Sequence, residues 1–218
     1  MLGQVKRYGQ LCPLARALDV VGERWSLLVV RELALGPRRY SDLLNGLPGV
    51  PSNLLATRLR DLQDAGVIIK RTLPPPTVVT VYELTEAGHA LRPVLGALRE
   101  WGRRYGSAPA DTDAARPGWL LLCASGRPTA LPDGRVCELR VDPEVFHLCA
   151  DNATLSVHGG PAHAPDLVIA MSADTLYRLM SGHTGPADTA QHITINGDRA
   201  VTDNVLKSLH DVLGTPQP

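Results

Sequence analysis

The chain has 218 residues, 44% hydrophobic and 20% charged, with aromatics at 4% and a single Phe, Phe146. This composition fits a globular protein of one or two domains with an aliphatic core; no apolar run approaches the ~18 residues of a membrane helix, and MLGQVKRYGQ at the start has no apolar leader segment. Four cysteines (Cys12, Cys123, Cys137, Cys149) lack metal-ligand spacing and are too few for a disulfide scaffold, so a reducing cytoplasm is the expected compartment.

The net charge of zero averages two unlike halves. Residues 1–106 hold 15 Lys and Arg against 9 Asp and Glu, a net of +6; residues 107–218 hold 7 against 13, a net of −6. A basic half joined to an acidic one suggests that only the first meets a polyanion. Residues 107–118 (SAPADTDAARPG) are small, polar and without hydrophobic period, so they read as a linker between domains at 1–106 and 119–218.

Cys12-Pro13 opens a first helix, because proline is tolerated where the N–H would be an orphan. A second helix is expected over 24–35, stopping at Gly36-Pro37, and a short third over 40–45. After the turn Gly46-Leu47-Pro48-Gly49, a fourth helix runs over 51–65, with Gly66 as its left-handed cap. Runs at 67–73 and 77–84 read as strands, with Pro74-Pro75-Pro76 at the hairpin tip because proline has no N–H for a ladder. A last long helix is expected from Thr85 to about Tyr105, with a stripe of Leu91, Val94, Leu95, Leu98 and Trp101 broad enough to meet a partner subunit.

Helix, turn, helix and hairpin in this order are the pattern of a winged helix–turn–helix. At 100° per residue, Leu55, Leu59 and Leu62 form the buried stripe of the fourth helix. Asn53, Thr57, Arg60 and Asp64 lie opposite, and Asn, Arg and Thr suit the edges of adenine, guanine and thymine. The N-terminal part of such a helix enters the groove, which adds Ser52. Arg58, on the flank, serves either a phosphate or an internal ion pair. Arg38, Arg39 and Tyr40 begin the preceding helix where phosphates would pass, and Lys70 and Arg71 belong to the wing.

CPLARALDVVGERWSLLVVRELALGPRRYSDLL, TRLRDLQDAG and VYELTEAG followed by REWG resemble the HxlR family of winged-helix transcription regulators, relatives of MarR, over about Cys12 to Gly106. The resemblance implies a homodimer built by N- and C-terminal helices and bound to double-stranded, palindromic operator DNA. It gives Cys12 two uses: an oxidation or electrophile sensor, as in some members, or a small buried residue at a helix start. Pro51 stands where the family often has a capping Ser; Ser52 could cap instead, shifting the helix start by one.

In the second half, 119–123 could start a helix, and 135–141 and 145–151 form a hairpin around Asp142-Pro143-Glu144. With its turn at Pro143, Cys137 and Cys149 would face each other as a small apolar pair. Strands at 153–158 and 166–171 flank Gly159-Gly160-Pro161, followed by a helix at 174–180, a strand at 193–195 and a helix at 204–213. The fold class is α+β. PDLVIAMSADTLYRLMSG and ITINGDRAVTDNVLKSL resemble the sterol-carrier-protein lipid-transfer fold, which implies a curved sheet of about five strands and a pocket for an apolar effector. Its lining would come from Leu139, Val141, Phe146, Leu148, Ile169, Met171, Leu176, Leu179, Met180, Ile193 and Ile195. Gln191 stands where a small glycine is expected and would narrow or remodel the cavity.

No enzyme, cofactor or metal is expected. His158-Gly159-Gly160 resembles an esterase oxyanion motif, but no G-x-S-x-G elbow accompanies it, so it reads as a tight hairpin turn. His158, His163, His183 and His192 lack ligand spacing. The reading is a cytoplasmic repressor without membrane contact, its first domain on DNA and its second on an apolar small molecule. The alternative is a ligand-independent or Cys12-responsive regulator whose second domain serves oligomerisation or docking.

Overall fold

The computed structural model describes residues 7–74, 78–107, 115–210 and 212–213. It divides into two compact units, Met1–Leu95 and Gly96–Pro218. Residues 108–114 of the expected linker, and Pro75 and Pro76 of the expected hairpin tip, lie outside the described residues.

The first unit contains α1 (Pro13–Val21), α2 (Ser26–Leu33), α3 (Tyr40–Gly46), α4 (Ser52–Asp64), β1 (Ile68–Leu73), β2 (Val79–Leu84) and α5 (Glu86–His89), and it ends within α6 (Arg92–Tyr105). Its core is aliphatic: Val29, Val30 and Leu33 of α2, Leu43 of α3, and Leu55, Leu59 and Leu62 of α4 are all buried. The second helix is shorter than the expected 24–35, because Trp25 takes a left-handed φ of 80° and cannot continue a right-handed turn. Gly66, at φ +71°, closes α4 in a Schellman motif: the Val67 amide donates to the Leu62 carbonyl at 2.9 Å and the Gly66 amide to Gln63 at 3.0 Å. The chain leaves this cap directly into β1.

β1 and β2 pair antiparallel from Ile68↔Leu84 to Leu73↔Val79. Thr85 then caps α5: its hydroxyl donates to the Gly66 carbonyl at 2.6 Å and accepts from the Gly88 amide at 3.2 Å. Gly88 has to be glycine, since a Cβ there would collide with the Val67 carbonyl oxygen. The single long helix expected from Thr85 is two helices, broken at Ala90-Leu91. Pro93 explains the break, since it has no N–H for the turn before it and its ring clashes there; in the first turn of α6 it does no harm.

The second unit contains α7 (Pro117–Ala124), β3 (Val136–Val141), β4 (Glu144–Asp151), β5 (Thr154–Gly159), β6 (Leu167–Met171), α8 (Ala173–Met180), α9 (Pro186–Thr189), β7 (Thr194–Asn196) and α10 (Arg199–Leu209). The five strands lie in the order β5-β4-β3-β6-β7, with β3 and β6 parallel and the other neighbours antiparallel. α7 packs on β4 and β5, α10 on β6, and α8 against both helices. The final helix starts five residues earlier than expected because Asp198 caps it, accepting from the Ala200 amide at 2.7 Å.

Two expectations for this unit are corrected. Cys137 faces Leu148 and Cys149 faces Val136, because the hairpin turns on two residues, Asp142 and Pro143, and not around a single central proline. That one-residue difference in register sends the two thiols to opposite faces of the sheet. In addition, β5 and β6 are not hairpin partners. Two strands separate them, and the chain after His158-Gly159-Gly160 crosses over β4 and β3. Two side chains hold this crossing: Glu138 Oε2 accepts from the Ala162 amide at 3.0 Å, and His147 Nδ1 lies 3.1 Å from the Gly160 carbonyl oxygen. His158 stacks on His147 across β4 and β5, with ring centroids 5.0 Å apart.

Candidate nucleic-acid interface

The apolar stripe of α4 decides which of its side chains are free. With Leu55, Leu59 and Leu62 buried, Ser52, Asn53, Thr57, Arg60 and Asp64 are exposed on the opposite side. Ala56 and Gln63 are exposed on the same face; the i, i+3 spacing from Asn53 and Arg60 carried that signal. Among the described residues Arg60 makes no ion pair, so its fork of donors is available to a partner. Thr57 donates its hydroxyl to the Asn53 carbonyl at 3.0 Å, which leaves its methyl group and its acceptor lone pairs for an outside contact.

Pro51 occupies the N-cap of α4, Ser52 is the first helical residue, and no side chain caps the helix. The capping role considered for Ser52 is therefore unfilled. The first amides of α4 keep their donors for water or an anion, and the helix dipole adds to that. Tyr40 is tied to this end: its phenolic O–H donates to the Ser52 carbonyl at 2.8 Å.

The basic residues sort into paired and unpaired. Arg39 is bound to Asp42, whose Oδ2 accepts from both the Arg39 amide and Nε at 3.1 Å. Burial pushes the Asp42 carboxyl up, but these hydrogen bonds outweigh it and hold the group below its ordinary value. Arg71 forms an ion pair with Glu83 at 2.8 Å. Of the two uses considered for Arg58, the structure shows the internal one: the guanidinium donates to Glu23, Asp61 and the Arg24 carbonyl.

Arg38 is brought to the wing by a β-bridge: its amide donates to the Tyr82 carbonyl at 3.0 Å and its carbonyl accepts from the Tyr82 amide at 2.8 Å. Tyr82 in turn pairs with Lys70, whose ammonium lies 5.9 Å from the centre of the Tyr82 ring. Arg38 and Lys70 thus belong to one row across Tyr82. Arg71, the next residue in β1, points to the other face of the hairpin, as alternation along a strand requires. Tyr82 was not among the residues singled out from the sequence, and its link to Arg38 spans too many positions for any periodicity to reveal.

In the second unit, the eleven residues named as a ligand lining lie together, with Leu139 and Val141 of β3 buried and Ile195 of β7 half-buried. Phe146, Leu148, Ile169, Leu176, Leu179 and Met180 are at most 1% exposed and Met171 is 6% exposed, while Ile193, just before β7, is half-buried. They form one apolar layer between the sheet and its helices. Gln191 is exposed, so it takes no space from that interior. Cys12, at the N-cap of α1, is exposed in the single chain, so its own unit does not bury it.

Residues 20–109 match the family described as HxlR-like helix-turn-helix, and residues 132–209 match the SCP-2 sterol transfer family. The HTH-type transcriptional regulator sll1512 of Synechocystis is 41% identical over 96 residues, covering 43% of this chain and 70% of that protein. The HTH-type transcriptional regulator YodB of Bacillus subtilis is 31% identical over 103 residues, covering 47% of this chain and 91% of YodB. The solved reduced form of YodB superimposes with a TM-score of 0.41 at 28% identity, covering 46% of this chain and 100% of that one.

Proposed function

The chain belongs to the HxlR-like helix-turn-helix family, and from that premise we propose that it is a DNA-binding transcription regulator, a repressor, whose second unit senses an apolar or amphipathic small molecule. The observation that carries the DNA-binding part is the exposed row Asn53, Thr57 and Arg60 on α4, directly opposite its buried leucine stripe. These side chains read bases in the major groove, while Arg38 and Lys70 contact phosphates on the flank.

The protein acts as a homodimer. Leu11, Leu14 and Leu18 in and before α1, and Val94, Leu98, Trp101 and Tyr105 of α6, are large apolar side chains left exposed, and a second copy would cover them. The two recognition helices of the dimer then have to match one turn of DNA, about 34 Å. A ligand in the second unit acts by binding the DNA-competent and incompetent states unequally. The acidic balance of that half keeps its surface away from the phosphates.

The test is binding to the DNA upstream of the protein's own gene across a salt series. Phosphate contacts require affinity to fall steeply as salt rises; a flat response would sink the proposal. A second reading is favoured by the near-complete burial of Phe146, Leu148, Ile169, Leu176, Leu179 and Met180, which suits a filled core serving as a docking or oligomerisation module. Native mass spectrometry separates the two, since a sensor purified from cells rich in apolar metabolites should carry or accept one and a filled core should not. The exposed thiol of Cys12 also supports a redox-responsive variant of the regulator, checked by DNA binding of Cys12→Ser with and without oxidant.

A further inference from the structure

We infer that Arg58 is the positioning residue of the recognition helix, setting the angle of α4 against the corner between α1 and α2 without touching DNA. The inference rests on the reading of α4 as the helix that enters the groove. Its basis is the set of partners that Arg58 holds. Nε donates to the Arg24 carbonyl at 3.1 Å, Nη1 to Asp61 Oδ2 at 2.7 Å and Nη2 to Glu23 Oε2 at 2.9 Å. The Arg58 side chain is 12% exposed, whereas Glu23 and Asp61 are 54% and 49% exposed. The guanidinium is therefore largely covered by its own partners, and Glu23, Arg58 and Asp61 together line a cleft of about 840 Å³ beside α1 and α4, the acids more exposed to it than the arginine.

Three properties of this cluster suit a positioning role. First, the leucine stripe of α4 fixes which face is buried but leaves sliding and tilt weakly determined, because apolar contacts have no direction. A planar guanidinium with donors to three separate groups restores direction. Second, one of those groups is backbone: the Arg24 carbonyl lies immediately before Trp25, which holds a left-handed φ of 80°. A bulky residue keeps such a conformation only where its surroundings over-determine it, and Arg58 is one of the surroundings that does so. Third, Asp61 is on α4 itself while Glu23 and Arg24 are in the corner, so the arginine bridges the helix to its support.

This placement separates Arg58 from Arg60, two residues along the same helix, which is exposed and makes no ion pair among the described residues. A phosphate contact adds to the number of counterions released on binding, whereas a positioning residue does not.

The experiment uses the full chain and two duplexes, the region upstream of its own gene and a scrambled sequence of the same composition. Affinity is measured by fluorescence anisotropy over a salt series for wild type, Arg58→Gln, Arg58→Lys and the double variant Glu23→Gln/Asp61→Asn, with circular dichroism to confirm folding. Arg58→Gln should weaken binding to the upstream duplex about tenfold, the loss expected from charge-assisted hydrogen bonds at a partly exposed cluster. Its slope of log affinity against log salt should stay at the wild-type value, and its preference over the scrambled duplex should shrink. The double variant gives the sharper result. Removing two negative charges would strengthen the DNA binding of an arginine that contacts phosphate, but it should weaken the binding of a helix that has lost its anchor. Arg58→Lys, which keeps the charge but not the planar fork, should resemble Arg58→Gln.

A salt slope for Arg58→Gln lower by about 0.9 with preference retained, tighter binding by the double variant, or wild-type behaviour in both overturns the inference while leaving the regulator reading intact. If wild type itself shows no salt-dependent binding to either duplex, the reading of α4 fails and takes the inference with it.

Discussion

Tyr40 donates its phenolic hydrogen to the Ser52 carbonyl across 2.8 Å, joining the first residue of α3 to the first residue of α4. The two helices of the helix–turn–helix are thereby pinned at their starts as well as by the turn between them. A neutral hydrogen bond of this kind contributes about 0.5–1.5 kcal/mol net. Tyr40→Phe keeps the ring and removes only the bond. Its urea midpoint should fall by a corresponding amount with the m-value unchanged. A midpoint equal to wild type would mean that the hydroxyl does nothing for the fold.

The exposed row on α4 and the row across Tyr82 should differ in what they contribute to DNA binding. Asn53→Ala and Arg60→Ala each remove a side chain able to bond a base edge with two hydrogen bonds, an interaction that discriminates between bases by about 1–3 kcal/mol. Either variant should bind a wider set of sequences. Lys70→Ala should weaken all sequences alike and lower the salt slope by about 1. A selection from random duplexes, followed by salt titration of the winners, checks both. If Asn53→Ala and Arg60→Ala lower affinity uniformly, the assignment of this face to the groove is wrong.

The structure also ties α4 to β1 through one backbone conformation. Gly66, at φ +71°, supports the two Schellman hydrogen bonds to Leu62 and Gln63. A Cβ there meets no neighbouring atom within 4 Å, so Gly66→Ala would be penalised by conformation alone. Placing an L-residue in the left-handed region costs about 1–2 kcal/mol. Thermal or urea unfolding should register that loss, and Gly66→Asn should recover part of it, since asparagine tolerates the conformation better. Equal stability of the alanine and glycine proteins would show that this turn relaxes without cost.

Elements whose causes are local could be read from the sequence. The leucine spacing of α4, its glycine cap and the Thr85 cap of α5 each depend on residues within one or two turns, and all three are present. The break before α6 was signalled by Pro93 and missed because the apolar stripe continues across it. The β3–β4 register turned on whether the loop held two residues or three, a difference that reverses both faces without altering the hydrophobic pattern. The path of the chain from β5 to β6 and the pairing of β3 with β6 depend on contacts between strands distant in sequence, which no period reports. The candidate interface divides in the same way. Periodicity identified the exposed face of α4, but not that Arg58 is held by Glu23, that Arg71 is held by Glu83 or that Arg38 bridges to Tyr82, because those partners lie 12 to 44 positions away.

The cysteines offer a test that needs no DNA. Cys12 is exposed, Cys123 and Cys149 are half-buried and Cys137 is buried. Burial pushes the Cys137 thiol up to about 12, with the neighbouring charge of Glu138 acting in the same direction. Burial, and then the charge of Asp151, raises Cys149 as well. Thiolate is the species that reacts, so a raised value and a covered sulfur both slow alkylation. Near neutral pH, iodoacetamide should modify Cys12 first, and Cys137 only once the chain is unfolded. The same burial has a consequence for stability. Between the ordinary thiol value of 9.0 and about 12, an unfolded chain releases a proton that folded Cys137 keeps. The folded state then binds more protons than the unfolded one, so the contribution of this residue to stability is whole below that window and declines as pH rises through it. Cys137→Ala should flatten that alkaline decline at some cost in packing at lower pH. Fast labelling of Cys137 in the folded protein, or an alkaline decline that is unchanged in Cys137→Ala, would show that the sulfur is not shielded by the core face of β3.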